Sequence, residues 1–103
     1  MESKIKVMVV DDSALLRNLV TKELSKSSLI EVVGTAINGR FALNKLDKLQ
    51  PDIIILDLEM PEMNGIEFLQ ERQKLGINTP VIILSAHAKK GAKITLEALA
   101  LGA

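Results

Sequence analysis

A chain of 103 residues, 48% hydrophobic and 25% charged, has the make-up of one small globular domain. Thirteen basic residues balance thirteen acidic ones, which removes the usual electrostatic reason to expect nucleic acid or an anionic membrane as partner. Cysteine is absent and histidine occurs once, at His87, so disulfides, thiolate or histidine metal clusters and cysteine nucleophiles are excluded.

The N-terminal "MESKIKVMVV" is charged and then apolar for only a few residues, too short for a signal peptide or a membrane span. The expected location is therefore the cytoplasm. "IKVMVV" (5–10) reads as a strand that stops at Asp11-Asp12. Ser13 is a good N-cap for a helix carrying Leu16, Leu19, Val20 and Leu24 on its inner side. "LIEVVGTA" (29–36) is a second strand, expected to end near Gly34. Asn38-Gly39 starts a second helix with Ala42, Leu43, Leu46 and Leu49 turned inward.

Gln50-Pro51-Asp52 breaks the chain before "IIIL" (53–56), the most hydrophobic strand. Asn64 opens a third helix with Ile66, Phe68 and Leu69 facing the core. "GINTP" (76–80) is a turn, and "VIIL" (81–84) a fourth strand. Gly91 precedes a fourth helix with Ile94, Leu96, Ala98 and Leu99, and Leu101-Gly102-Ala103 looks like its C-cap. Strands alternating with helices imply βαβ units and a parallel sheet. Strands apolar throughout, rather than at alternate positions, imply helices on both faces.

In such a sheet, ligands sit beyond the carboxyl ends of the strands. The first strand delivers Asp11 and Asp12 there, the third Asp57 and the fourth Ser85. If the first and third strands are neighbours, three carboxylates converge, which is unfavourable unless a cation or protons are bound. Oxygen ligands without His or Cys suit a hard ion, and Mg²⁺ (or Mn²⁺) more than a Ca²⁺ cage. An aspartate beside such an ion can attack a phosphoryl group, because the ion offsets the charge of both anions. Taken singly, each acidic residue reads more simply as a helix cap or turn; their joint placement carries the argument.

"VMVVDDSALLRNLV", "DIIILDLEMPEMNG" and "VIILSA" resemble the three signature segments of response-regulator receiver domains, in register along the whole chain. The resemblance implies a flavodoxin-like three-layer α/β sandwich, with parallel strand order 2-1-3-4 here and the family's fifth strand and helix expected beyond Ala103. The 1–103 segment is then an incomplete receiver, part of a longer protein. The resemblance implies that Asp57 accepts phosphate from a histidine kinase or a small phosphodonor. Asp12 and Asp57 would ligate Mg²⁺ through side chains, Glu59 through its backbone carbonyl, and Asp11 through a water. Ser85 matches the switch hydroxyl, and the Ala86 N–H would also contact the phosphoryl group. Met60-Pro61 and Gly65 match the loop that shapes the site.

"SALLRNLV", "LEMPEMNGIEFL" and "SAHAKKGAKITLEALALGA" are more narrowly similar to the receiver of the chemotaxis protein-glutamate methylesterase. That likeness implies an attached methylesterase output domain; the competing reading is a stand-alone receiver that docks partner proteins. An aspartate-nucleophile phosphatase would need a second aspartate where Glu59 stands, and a flavin site would need a phosphate loop after the first strand. The fourth strand is expected to be an open edge, able to pair with a second chain.

Overall fold

The computed structural model describes residues 4–58 and 63–84. Alternation along the chain gives β1 (Ile5–Val10), α1 (Ala14–Ser25), β2 (Ile30–Ala36), α2 (Gly39–Leu49), β3 (Ile53–Leu56), α3 (Gly65–Lys74) and β4 (Val81–Ile83). The strands form one parallel sheet in the order β2-β1-β3-β4, as the sequence led one to expect. The fourth helix expected after Gly91, its C-cap at Leu101-Gly102-Ala103, and Ser85, Ala86 and His87 lie outside the described residues, as do Glu59, Met60, Pro61 and Glu62.

Each described helix begins on a side-chain cap, which satisfies a backbone donor that has no partner within the helix. Ser13 Oγ accepts from the Leu16 N–H, Asn38 Oδ1 from Phe41 and Asn64 Oδ1 from Glu67. At α3 the Glu67 carboxylate returns the favour to the Asn64 N–H at 3.2 Å, closing a capping box. Gln50 ends α2 in the left-handed conformation with φ 44°, its N–H on the Leu46 carbonyl, ahead of Pro51.

β2 runs two residues past Gly34 to Ala36, the last residue of the expected 29–36 run. Gly34 instead marks an irregularity in the β1–β2 register, where Val7 pairs with Val32 but Met8 with Gly34. The strand thereby stays paired up to the edge where the acidic residues lie.

Parallel register places Met8 beside Ile54 beside Val81, and Val10 beside Leu56 beside Ile83. These side chains face α2 and α3 and join Ala36, Ala42, Leu46, Leu58, Phe68 and Leu69 in the main core. Val7 and Val9 point to the other face and are also buried, under α1. Further across that face the cover thins. Leu19, expected inward, is 49% exposed, and Ile82 and Leu84 are exposed as well. With Val20, Leu24 and Ile55 they line an apolar groove of about 320 Å³ between α1 and the β3–β4 edge. Among the described residues helices do lie on both faces, but α1 alone cannot reach across four strands.

Candidate functional site

Backbone pairing continues one residue past β1, β3 and β4 and so fixes where the acidic residues stand. Asp11 N–H donates to the Ala36 carbonyl at 3.0 Å, Asp57 N–H to Val10 at 2.9 Å, and Leu84 N–H to Leu56 at 3.0 Å. Asp11 and Asp57 are therefore level on neighbouring strands, and Ser85, outside the described residues, follows directly after Leu84. Asp11, Asp12 and Asp57 each offer one carboxylate oxygen, and these oxygens all lie within 4.8 Å of one another. The convergence expected from the sequence is present for these three.

The three environments differ. Asp11 is 4% exposed, Asp57 half-buried and Asp12 exposed. Asp11 Oδ1 accepts the Ser13 N–H at 2.8 Å, tying the carboxylate to the turn that starts α1. Arg17, one turn into that helix, donates Nη1 to the Asp11 carbonyl oxygen at 2.7 Å. Burial pushes the Asp11 carboxyl above the ordinary carboxylate range; the Ser13 N–H pulls it down, the Asp12 carboxylate raises it and Arg17 lowers it. A buried anion beside further anions is the electrostatic state that a divalent cation relieves. Among the described residues the donor set fits a hard ion: oxygens only, with one mouth open to solvent at Asp12 and no nitrogen or sulfur ligand.

The segment after Asp57 is anchored at both ends. Leu58 is buried in the main core. Gly65 N–H donates to the Leu58 carbonyl at 3.0 Å, closing the loop at its base. A Cβ on Gly65 would stand 2.6 Å from Leu58 Cα and 2.7 Å from the Asp57 carbonyl oxygen, so only glycine lets α3 start this close to the aspartate. Gly65 thus has the loop-shaping place expected of it; Met60-Pro61, and Glu59 with its carbonyl, lie outside the described residues.

Two contributors escaped the sequence reading. Arg17 could have been suspected, since a cation four residues after a helix cap lies near the cap's acidic neighbours. Gly39 could not: its N–H donates to the Met63 carbonyl at 2.9 Å, a partner 24 positions away that only the packing of α2 on α3 brings near.

A family description, "Response regulator receiver domain", matches residues 7–103. A protein-glutamate methylesterase/protein-glutamine glutaminase of Treponema denticola is 57% identical over 96% of this chain, and the matched part is 27% of that relative's length. The enzyme of the same description from Clostridium acetobutylicum is 54% identical over 97% of the chain and 29% of its own length. The chain therefore spans little more than a quarter of these relatives. Among solved structures, the response regulator domain of Thermotoga maritima CheB superposes with a TM-score of 0.88 at 43% identity, covering 97% of this chain and 74% of that one.

Proposed function

The chain belongs to the response-regulator receiver domain family, and on that premise we propose that it is a phospho-acceptor switch whose acceptor is Asp57. The observation that carries the proposal is the meeting of the Asp11, Asp12 and Asp57 carboxylates at the strand ends, one of them buried and destabilised as an anion.

In the proposed reaction an Asp57 carboxylate oxygen attacks the phosphorus of a phosphohistidine on a histidine kinase, or of a small acyl phosphate. An oxygen–phosphorus bond forms, the phosphorus–donor bond breaks, and the leaving imidazole takes up a proton. Mg²⁺ or Mn²⁺, held by Asp12 and Asp57 directly, by the Glu59 carbonyl and through water by Asp11, would supply charge neutralisation for the transferring group. The residues of this chain do the rest. Paired strand ends orient Asp57, the Ser13 N–H fixes the Asp11 rotamer, and Gly65 admits the close loop that follows. Ser85 and the Ala86 N–H are proposed to receive the phosphoryl oxygens and so report the modification.

The output proposed is a protein-glutamate methylesterase domain acting in chemotaxis, by analogy with the relatives of which the chain matches about a quarter. A cytoplasmic location goes with a kinase donor; among the described residues no helix is long and apolar enough to cross a membrane. Neither nucleic acid nor a membrane is a proposed partner of this domain. Self-association through β4 completes the proposal, since among the described residues β4 pairs with β3 alone and leaves Ile82 and Leu84 exposed.

The test is covalent labelling of the full-length protein by acetyl phosphate with Mg²⁺, read by intact mass. A single added phosphoryl group lost in Asp57→Asn is expected; labelling that survives the substitution would sink the assignment. For self-association, light scattering on the 103-residue chain should show dimers at high concentration, and a strictly monomeric species would rule it out.

A further inference from the structure

The loop that leaves Asp57 is held from outside by a contact that none of the acidic residues makes. Met63, two residues before α3 begins at Gly65, stands in the left-handed region with φ 63°. A long side chain rarely adopts that conformation, and it persists only where neighbours over-determine it. One neighbour is the capping box of Asn64 and Glu67. The other is the turn between β2 and α2. Asn38, buried at 4% exposure, caps α2, and the next residue, Gly39, donates its N–H to the Met63 carbonyl at 2.9 Å. That contact requires glycine for a steric reason. A Cβ there would lie 2.6 Å from the Met63 carbonyl oxygen, 2.8 Å from Met63 Cγ and 3.0 Å from Phe68 Cβ. The first of these is backbone and cannot swing aside as a side-chain tip would.

Met63 is one residue from the Asn64 cap and two from Gly65, whose N–H is bonded to Leu58 and whose backbone is so close to the Asp57 carbonyl that an added Cβ would lie 2.7 Å from its oxygen. A push at Met63 therefore has a short, closely packed path to Asp57 through Asn64 and Gly65. We infer that Gly39 is a positioning residue for the Asp57 site: its N–H and its missing side chain let the β2–α2 turn clasp Met63 and so set the loop that seats the acceptor aspartate. Gly39 touches no reacting atom, and this role rests on the phospho-acceptor reading above.

Two experiments on the full-length protein separate the clasp from general stability and from that reading. In the first, Mg²⁺ affinity is measured by amide chemical-shift titration, well below the melting temperature, for wild type, Gly39→Ala and Ala42→Gly. Ala42 is a buried residue of the same helix, and its replacement weakens α2 without pressing on Met63. Gly39→Ala is expected to bind Mg²⁺ about tenfold to a hundredfold more weakly, the range for loss of a group that orients metal ligands. Ala42→Gly is expected to melt earlier with its affinity unchanged. Equal affinities for Gly39→Ala and wild type overturn the inference, as does an equal loss in Ala42→Gly.

The second experiment needs no substitution and so stands even if Gly39→Ala does not fold. Coupling is reciprocal, so if the clasp favours the metal-binding geometry, Mg²⁺ must favour the clasp. Hydrogen exchange at the Gly39 amide is expected to slow on Mg²⁺ saturation. Unchanged exchange at Gly39, with clear shifts at Asp12 and Asp57, overturns the clasp and leaves the acceptor reading intact. No shift at any of these residues in wild type overturns the acceptor reading and the clasp with it.

Discussion

Asp11 is asked to be an anion where an anion is uncomfortable. Burial raises its folded-state pKa above the unfolded value, and the adjacent Asp12 carboxylate adds to the rise against the Ser13 N–H and Arg17. The sign of the linkage follows. With both forms protonated at low pH there is no penalty; as pH rises through the raised value the folded state must give up a proton it binds more tightly than the unfolded chain does, and stability is lost. At neutral pH without divalent ions the ionised Asp11 is therefore a net cost. Asp11→Asn removes that cost while an amide oxygen can still accept the Ser13 N–H, so the variant should unfold later than wild type in metal-free buffer at pH 7. The gain should shrink as pH falls through the raised folded-state value, where wild-type Asp11 takes up its proton. Thermal melts at pH 7 and below that raised value check this, and an Asn variant less stable at pH 7 would contradict it. Asp11 and Asp57 were legible because each directly follows an apolar run, and strand ends are where an open sheet presents its chemistry. Asp11's burial was not, since it depends on how closely the Ser13 turn folds back over it.

At the level of elements, the helix starts were readable from Ser13, Asn38 and Asn64, because a cap is a local bargain between one side chain and the next three amides. Removing one has a local and predictable cost. Asn64→Ala removes the side-chain oxygen that accepts the Glu67 N–H and leaves the α3 capping box with only its Glu67 half, and should destabilise the protein by about 1 kcal/mol in urea unfolding. What the sequence concealed is the device that ends α3. Arg72 is buried, and both its Nε and Nη2 donate to the Thr79 carbonyl, at 3.0 and 2.8 Å, stitching the helix to the residue before Pro80 and hence to β4. An arginine in the sequence "ERQKLG" reads as a solvated face, and only the return of the chain at Thr79 gives it a partner. Arg72→Met keeps the aliphatic packing but leaves that carbonyl without its charged donors, which should cost about 1–3 kcal/mol. Urea unfolding should show a lower midpoint at an unchanged slope; an unchanged midpoint would mean the pair is idle.

Across the whole molecule, the acidic cluster is also a statement about folding. Asp11 and Asp12 come from the end of β1 and Asp57 from the end of β3, more than 40 residues apart in sequence. Their oxygens meet within 4.8 Å only when the β1–β3 pairing is intact. A parallel sheet was legible from the apolar runs and the intervening helices, while the strand order behind this meeting was implied only by the likeness to receiver domains. Coverage of the α1 face was not, because a continuous apolar strand reports that both faces can be buried and not by which segment. A cation that needs all three carboxylates binds the folded chain and not the unfolded one, so it must stabilise the fold by mass action. At a free Mg²⁺ concentration one hundred times the dissociation constant the expected gain is about 2.7 kcal/mol. The melting temperature of wild type should therefore climb with Mg²⁺ or Mn²⁺ and fall back when EDTA is added. Asp57→Asn and Asp12→Asn should start more stable in metal-free buffer, because a repulsion is gone, and should respond little to the ion. The two halves of that outcome have one cause, charge brought together by the sheet, and they separate it from non-specific screening. Screening would raise wild type as well in sodium chloride of equal ionic strength as in Mg²⁺, and that result would remove the case for a metal site.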